Sequence, residues 1–390
     1  MIRTILFTLG LLSLIGVSVV FGLGPGLFEQ SMNRLTVDDQ PTVDSAALTL
    51  HKTLVIGDLH ADTALWQRPI EERSNRGHVD LERLLEGNIT LQMFTTVTKS
   101  PRGQNYEENS SEAFDNISLL ALIQRWPAAT RESLAERALY QADRINQAAA
   151  DSPHLQVVLN QGDLEDVLDR RGAGEPIVGA LIGTEGSHAL DVNIENVDRL
   201  YAAGFRMMSL QHFFDNALGG SLHGESNQGL TFFGEQAVDR MIALGIMIDV
   251  AHSSEAVVQD LLAKHPVPLI VSHTGFQGHC ASPRNISDDT MELITNAGGL
   301  IGVGFWDGAT CGSDVDSIVG AIRYGIDRFG LEHIALGSDW DGAISAPFDA
   351  ANIAQLTQGL LDAEFSEAEI RAVMGGNMLR FLKTHLPAGR

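Results

Sequence analysis

Lysine is almost missing from this chain of 390 residues: it occurs four times, and lysine and arginine together reach 26 against 50 acidic residues. A formal charge of −24 with no basic stripe excludes a nucleic-acid partner, because phosphates are gripped by clustered cations. Cysteine is as scarce. Cys280 and Cys311 form no C-x-x-C pair, which excludes a thiolate zinc knuckle but leaves room for one disulfide in an oxidising compartment. No G-x-G-x-x-G turn is present, so a dinucleotide-binding open sheet has no support. Internal repeats and low-complexity segments are also absent. The last residues, RFLKTHLPAGR, carry no apolar tail, so no lipid anchor is expected at that end.

What is present is an ordinary globular composition, 44% apolar and 19% charged, preceded by one exceptional stretch. Residues 5–24, ILFTLGLLSLIGVSVVFGLG, carry no charge and have about the length of a bilayer-crossing helix. Arg3 before it and Glu29 after it orient the N-terminus to the cytoplasm. A cleaved signal peptide is the alternative, although neither an A-x-A site nor a lipobox cysteine is visible. Residues 1–28 are therefore expected as a membrane anchor or signal segment, 29–51 as a polar linker, and 52–385 as one exported, extracytoplasmic (periplasmic) domain.

Within that domain, short apolar runs recur, each followed by polar punctuation and in most cases a helical pattern. The first is LVIGDLHAD; the others lie at 88–96, 176–186, 205–212, 246–252, 268–275, 299–305 and 333–339. Helical patterns occupy a long region at about 112–150 and the segments 233–244, 253–264 and 315–329. Apolar strands alternating with amphipathic helices imply parallel strands buried on both faces. Eight such units predict a (β/α)8 barrel of the TIM type, whose chemistry sits at the C-terminal ends of the strands.

The unusual residues of this chain lie at those ends. The first strand finishes with His60 and Asp62, two apart and so directed to one side in an extended backbone. Glu185, His212, His252, His273 and Asp339 close the third, fourth, fifth, sixth and eighth runs. Four of the 13 histidines and three carboxylates at equivalent places are hard to assign to packing. Imidazoles and carboxylates without thiolate suit zinc, manganese or iron in a hydrolytic site. Five ligands exceed one tetrahedral zinc with an open position, but fit two metals about 3.5–4 Å apart that share a carboxylate and hold a hydroxide. Glu185, on the third strand between the groups of the first strand and those of the fifth and sixth, is the natural bridge. None of the four lysines closes the fourth run, which argues against a modified-lysine bridge.

Taken together, DLHAD, GHVDLERLLEGNITLQMF, GTEGSHAL, SLQHFFDN, VSHTG, ASPRNISDD, GSDWDG and GNMLRF resemble the membrane dipeptidases, the renal-dipeptidase-like zinc peptidases of amidohydrolase type, over about residues 52–383. The resemblance implies that His60 and Asp62 bind one Zn2+, Glu185 bridges, and His252 with His273 bind a second Zn2+. It implies that His212 touches the substrate and polarises its carbonyl, that Arg284 grips the free carboxylate of a dipeptide, and that Asp339, rather than Asp341, shuttles the proton. Tolerance of a C-terminal D-residue and a homodimer also follow from the family. The alternative is a related metal-dependent amidohydrolase acting on N-acyl amino acids or β-lactams. The chain departs from its relatives at Ala61, where they carry asparagine; His78 reads as structural, and Trp306 falls where an aromatic residue often lines the pocket.

Overall fold

The computed structural model describes residues 19–37 and 41–389. Most of the apolar stretch 5–24 lies outside the described residues, and among these no helix is long and apolar enough to cross a membrane.

Eight parallel strands close into a barrel: β1 (Ile56–Ala61), β2 (Ile89–Val97), β3 (Val178–Glu185), β4 (Phe205–Ser209), β5 (Met247–Asp249), β6 (Ile270–Thr274), β7 (Leu300–Val303) and β8 (Ile334–Leu336). Each pairs with the next in sequence, and Leu336 opposite Asp58 joins β8 back to β1. Every residue of β1, β2 and β3 is buried, as expected for strands covered by helices outside and filled by side chains inside. One buried cluster takes Leu59, Met93, Leu181, Met207, Met247, Ile270, Leu300 and Ala335, at least one side chain from each strand. Met378, Phe381 and Leu382 of the helix Asn377–His385 pack against the same cluster, so the barrel is filled rather than hollow.

The helices begin where the sequence offers a cap. Ser133, Asn160, Thr231, Ser254, Ser287 and Asp314 each accept a hydrogen bond from a backbone N–H of the first turn. The long helical region expected at 112–150 is broken into Asn116–Ile123 and Leu134–Asp151, because Pro127 cannot continue a helix and Ser133 caps a new one. A short strand at Leu155–Val157, appended outside β3, and a helix at Gln161–Gly172 were not expected.

Of the stretch 29–51 expected as a linker, the described residues 29–37 and 41–51 are instead packed against the domain. Glu29 is buried on the helix Gly24–Met32 and pairs with Arg68 at 2.5 Å and Arg76 at 2.6 Å. Arg34–Leu35 pairs with Ser345–Ala346, and Ser45–His51 forms a helix whose last residue bonds Thr357 and Gly87. Most side chains of this stretch are exposed, while Glu29, Asn33 and His51 are buried and tie it to the barrel.

Candidate active site

The strand ends bring four imidazoles onto one carboxylate. Glu185 Oε1, at the end of β3, lies 3.7 Å from His60 Nε2, 3.4 Å from His212 Nε2, 3.2 Å from His252 Nε2 and 3.3 Å from His273 Nε2. His60 Nε2 also lies 3.6 Å from Asp62 and 3.9 Å from Asp339. All seven residues are less than 9% exposed. The backbone sets this up at two glycines. Gly186 has φ +89°, and a Cβ there would strike the rings of His188 and the Cβ of His212. A Cβ on Gly342 would meet the Asp339 carboxylate at 2.0 Å, in a turn where Asp339 itself has φ +59°.

Buried acceptors converging without donors are costly unless a cation lies among them. His60 Nε2 has no hydrogen-bond partner among the described residues, and His252 Nε2 faces His273 Nε2 at 2.9 Å. Burial opposes charge on His60, yet Asp62, Glu185 and Asp339 outweigh it and hold the imidazole up to about 10. Burial raises the carboxyls of Glu185 and Asp339, the latter to about 8, with Asp62 adding to both shifts. Burial keeps His252 and His273 well below the usual range, hence neutral and ready to ligate. Three overlapping sets, His60–Glu185–His273, Glu185–His212–His252 and His60–Asp62–Asp339, have ligand atoms close enough to hold an ion. This donor set fits divalent metals, with Glu185 common to two of the three sets.

Behind the cluster stands a second layer that the sequence did not single out. Asp249 on β5 accepts from the Ser272 hydroxyl at 2.7 Å and from the Ser272 N–H at 2.9 Å. The same hydroxyl faces His60 Nδ1 at 3.1 Å and His273 Nδ1 at 2.9 Å. Since its proton goes to Asp249, its lone pairs accept from both Nδ1–H groups, so the neutral forms of both rings would present Nε2 as a bare acceptor toward Glu185. Thr95 likewise donates to Asp62 at 2.7 Å. Serine, threonine and aspartate in strands are too common to be noticed before the barrel closes.

Arg284 lies in the same mouth, 1% exposed, with its donors on the carbonyls of Ala251 (3.0 Å) and His273 (2.8 Å). One nitrogen stands 3.3 Å from His252 Nε2, and its guanidinium lies 5.4 Å from the Trp306 ring. It has no carboxylate of its own in direct contact among the described residues. Trp306 donates to the Tyr106 hydroxyl at 3.0 Å, placing a phenol from the β2 loop at this mouth. His223, from the β4 loop, is buried beside His252 with its Nδ1 on the Tyr106 carbonyl at 2.9 Å. His212 holds its Nδ1 toward the Lys99 carbonyl at 3.3 Å, and burial lowers its pKa to about 4.

Two residues stay outside the cluster. Asp341 accepts from Thr63, Arg68 and the His78 N–H, and His78 is spent on Asp341 N–H and the Arg34 carbonyl. Both brace the loop that carries Asp339. Cys280 and Cys311 are joined as a disulfide, tying the loop after β6 to the loop after β7.

Residues 45–387 match the family model described as membrane dipeptidase, peptidase family M19. Dipeptidase 3 of Mus musculus is 26% identical over 88% of this chain and 67% of its own length; that of Macaca fascicularis is 27% identical over 79% and 64%. Among solved structures, the probable dipeptidase PvdM of Pseudomonas aeruginosa superposes with a TM-score of 0.69 at 19% identity, covering 87% of this chain and 97% of that one. A metallo peptidase of Rhodobacter sphaeroides, liganded with a phosphinate mimic of the dipeptide L-Ala-D-Ala, superposes at 0.67 and 20%, covering 86% and 99%. The match over nearly the whole barrel, joined to the clustered imidazoles and carboxylates at its mouth, makes this chain a member of the membrane dipeptidase family of metallopeptidases, a family of hydrolases.

Proposed function

We propose that the chain is a binuclear zinc dipeptidase that cleaves dipeptides bearing a free C-terminal carboxylate. The observation that carries this reading is the convergence of four Nε2 atoms on one Glu185 oxygen within 3.2–3.7 Å, beside a buried guanidinium that touches no carboxylate among the described residues. His60, Asp62 and Glu185 would hold one zinc; Glu185, His252 and His273 the other. When bound, the metals supply an acidified water and a polarised carbonyl.

The remaining steps belong to side chains. Arg284 is a buried cation with no counter-ion in contact among the described residues, and a substrate carboxylate would complete it as a charge-assisted pair. Asp339, displaced upward by burial, is suited to take a proton from the attacking water and return it to the leaving amine. His212 would face the scissile carbonyl. With Nδ1–H on Lys99, its Nε2 is an acceptor, so donation to an oxyanion requires the imidazolium, favoured as negative charge develops beside it.

The dipeptide mimic held by the Rhodobacter sphaeroides neighbour supports testing a C-terminal D-residue. The Cys280–Cys311 bond supports an exported domain, tethered by residues 5–24 on the extracytoplasmic side. A homodimer rests on the family alone. The test is hydrolysis of L-Ala-D-Ala and L-Ala-L-Ala by the full chain after chelation, with and without restored zinc. Zinc-dependent release of alanine, abolished by Glu185→Gln and reduced through KM by Arg284→Lys, is expected. Silence on both peptides from protein holding two metals would sink the dipeptidase reading.

A further inference from the structure

Seven of the twelve large apolar side chains exposed among the described residues lie on two neighbouring helices, Gly24–Met32 and Asn116–Ile123, or within two residues of them. Leu23, Leu27, Phe28, Phe114, Leu119 and Leu122 are 45–63% exposed. Scattered exposed leucines need no explanation, but a clustered patch does. Helix Asn116–Ile123 turns its other side, Ile117, Leu120 and Ala121, inward onto Trp66, and the Phe28 ring lies 6.1 Å from the same Trp66. The two helices therefore meet over one tryptophan and present their leucines outward together.

Three observations say what covers this face. The uncharged stretch 5–24 runs into helix Gly24–Met32 with no polar residue between, and Glu29, paired to Arg68 and Arg76, fixes that helix to the barrel. A segment that enters a bilayer at residue 24 thus leaves the barrel no slack to stand away from it. The two helices themselves carry no exposed carboxylate, in a chain of net charge −24: across 19–32 the one charge is the buried Glu29, and across 116–125 it is Arg125, while exposed Glu112 flanks the patch beside Phe114. Arg125 lies 5.6 Å from the Phe21 ring, beside the end of the apolar stretch, where a cation suits the phosphate level of a bilayer.

We propose that this two-helix face lies on the lipid bilayer that holds the N-terminal segment, with its leucines and phenylalanines at the boundary of headgroups and acyl chains. This rests on reading residues 5–24 as an uncleaved anchor. Both native cysteines are bonded, so a cysteine introduced at an exposed position is the one free thiol. Spin labels at Leu119→Cys, Leu122→Cys and, as control, Leu293→Cys would be compared in the full chain reconstituted in phosphatidylcholine vesicles. Leu293 is 43% exposed on the helix Asp288–Asn296 after β6, on the side of the barrel away from β2.

The expected result is that the labels at 119 and 122 collide more with oxygen than with an aqueous nickel chelate, and that the order is inverted at 293. Protein that floats with the vesicles while all three labels stay equally open to nickel overturns the docking but leaves the anchor intact. Protein that does not float overturns the anchor reading and the docking with it. Dipolar broadening between labels at 119 would assign the face to a second copy of the chain instead.

Discussion

The hydroxyl of Ser272 has one proton and two lone pairs, and the barrel uses all three. Its proton satisfies Asp249, and its lone pairs fix the tautomers of His60 and His273 from two different strands. Ser272→Ala removes that constraint without touching a ligand, and metal affinity is expected to fall by about 10–100-fold. Competition against a fluorescent chelator measures this; an unchanged affinity would mean that the metal alone selects the tautomer. The clustered histidines and carboxylates were legible because such residues are rare at the ends of apolar strands. Ser272, Asp249, Thr95 and Tyr106 were not, because ordinary polar residues acquire a role only when distant strands become neighbours.

Among the elements, the strands were located to within a few residues, since both faces are buried and the apolar runs are continuous. The runs at 205–212 and 246–252 overshoot β4 and β5, because their last residues leave the ladder to enter the site. The N-terminal elements were misread as a linker because Glu29 and His51 look solvated until Arg68, Arg76 and Thr357 are placed beside them. The disulfide acts at this scale too. It joins two loops above β6 and β7 across a separation of 31 residues, and closing such a loop stabilises by roughly 3–4 kcal/mol through the unfolded chain. The paired change Cys280→Ser with Cys311→Ser is expected to lower the free energy of unfolding by about that much. A urea titration reads it, and a loss of less than ~1 kcal/mol would mean that the unfolded state is already compact there.

For the whole molecule, the burial of neutral histidines sets the response to acid. Burial holds His51, His78, His188 and His223 below their usual range, His223 at about 3. Above pH 6.5 these groups are neutral in both states, so the full stability is present. Below it the unfolded chain binds protons that the fold refuses, and stability falls as the pH drops toward the folded values, by at most ~1.4 kcal/mol per unit for each group. The urea midpoint of the metal-loaded protein should decrease from pH 7 to 5, and His51→Gln should flatten that slope; a parallel slope would count against His51. Loaded protein is needed because metal-free His60, held up to about 10, contributes with the opposite sign: its stabilisation is full below pH 6.5 and is lost as pH rises through 10.

By itself the sequence determined that the chain is a barrel of alternating strands and helices, and which rare residues close its strands. Burial on two faces forces an apolar pattern, and metal chemistry demands side chains that packing does not. Only the tertiary structure decided that Glu185 lies among four imidazoles, that Ser272 sets two of them, that Asp341 braces while Asp339 faces the site, and that the stretch after residue 24 is part of the fold. Those outcomes depend on ring closure, which makes neighbours of residues more than a hundred positions apart, and no local pattern encodes a distance that only closure creates.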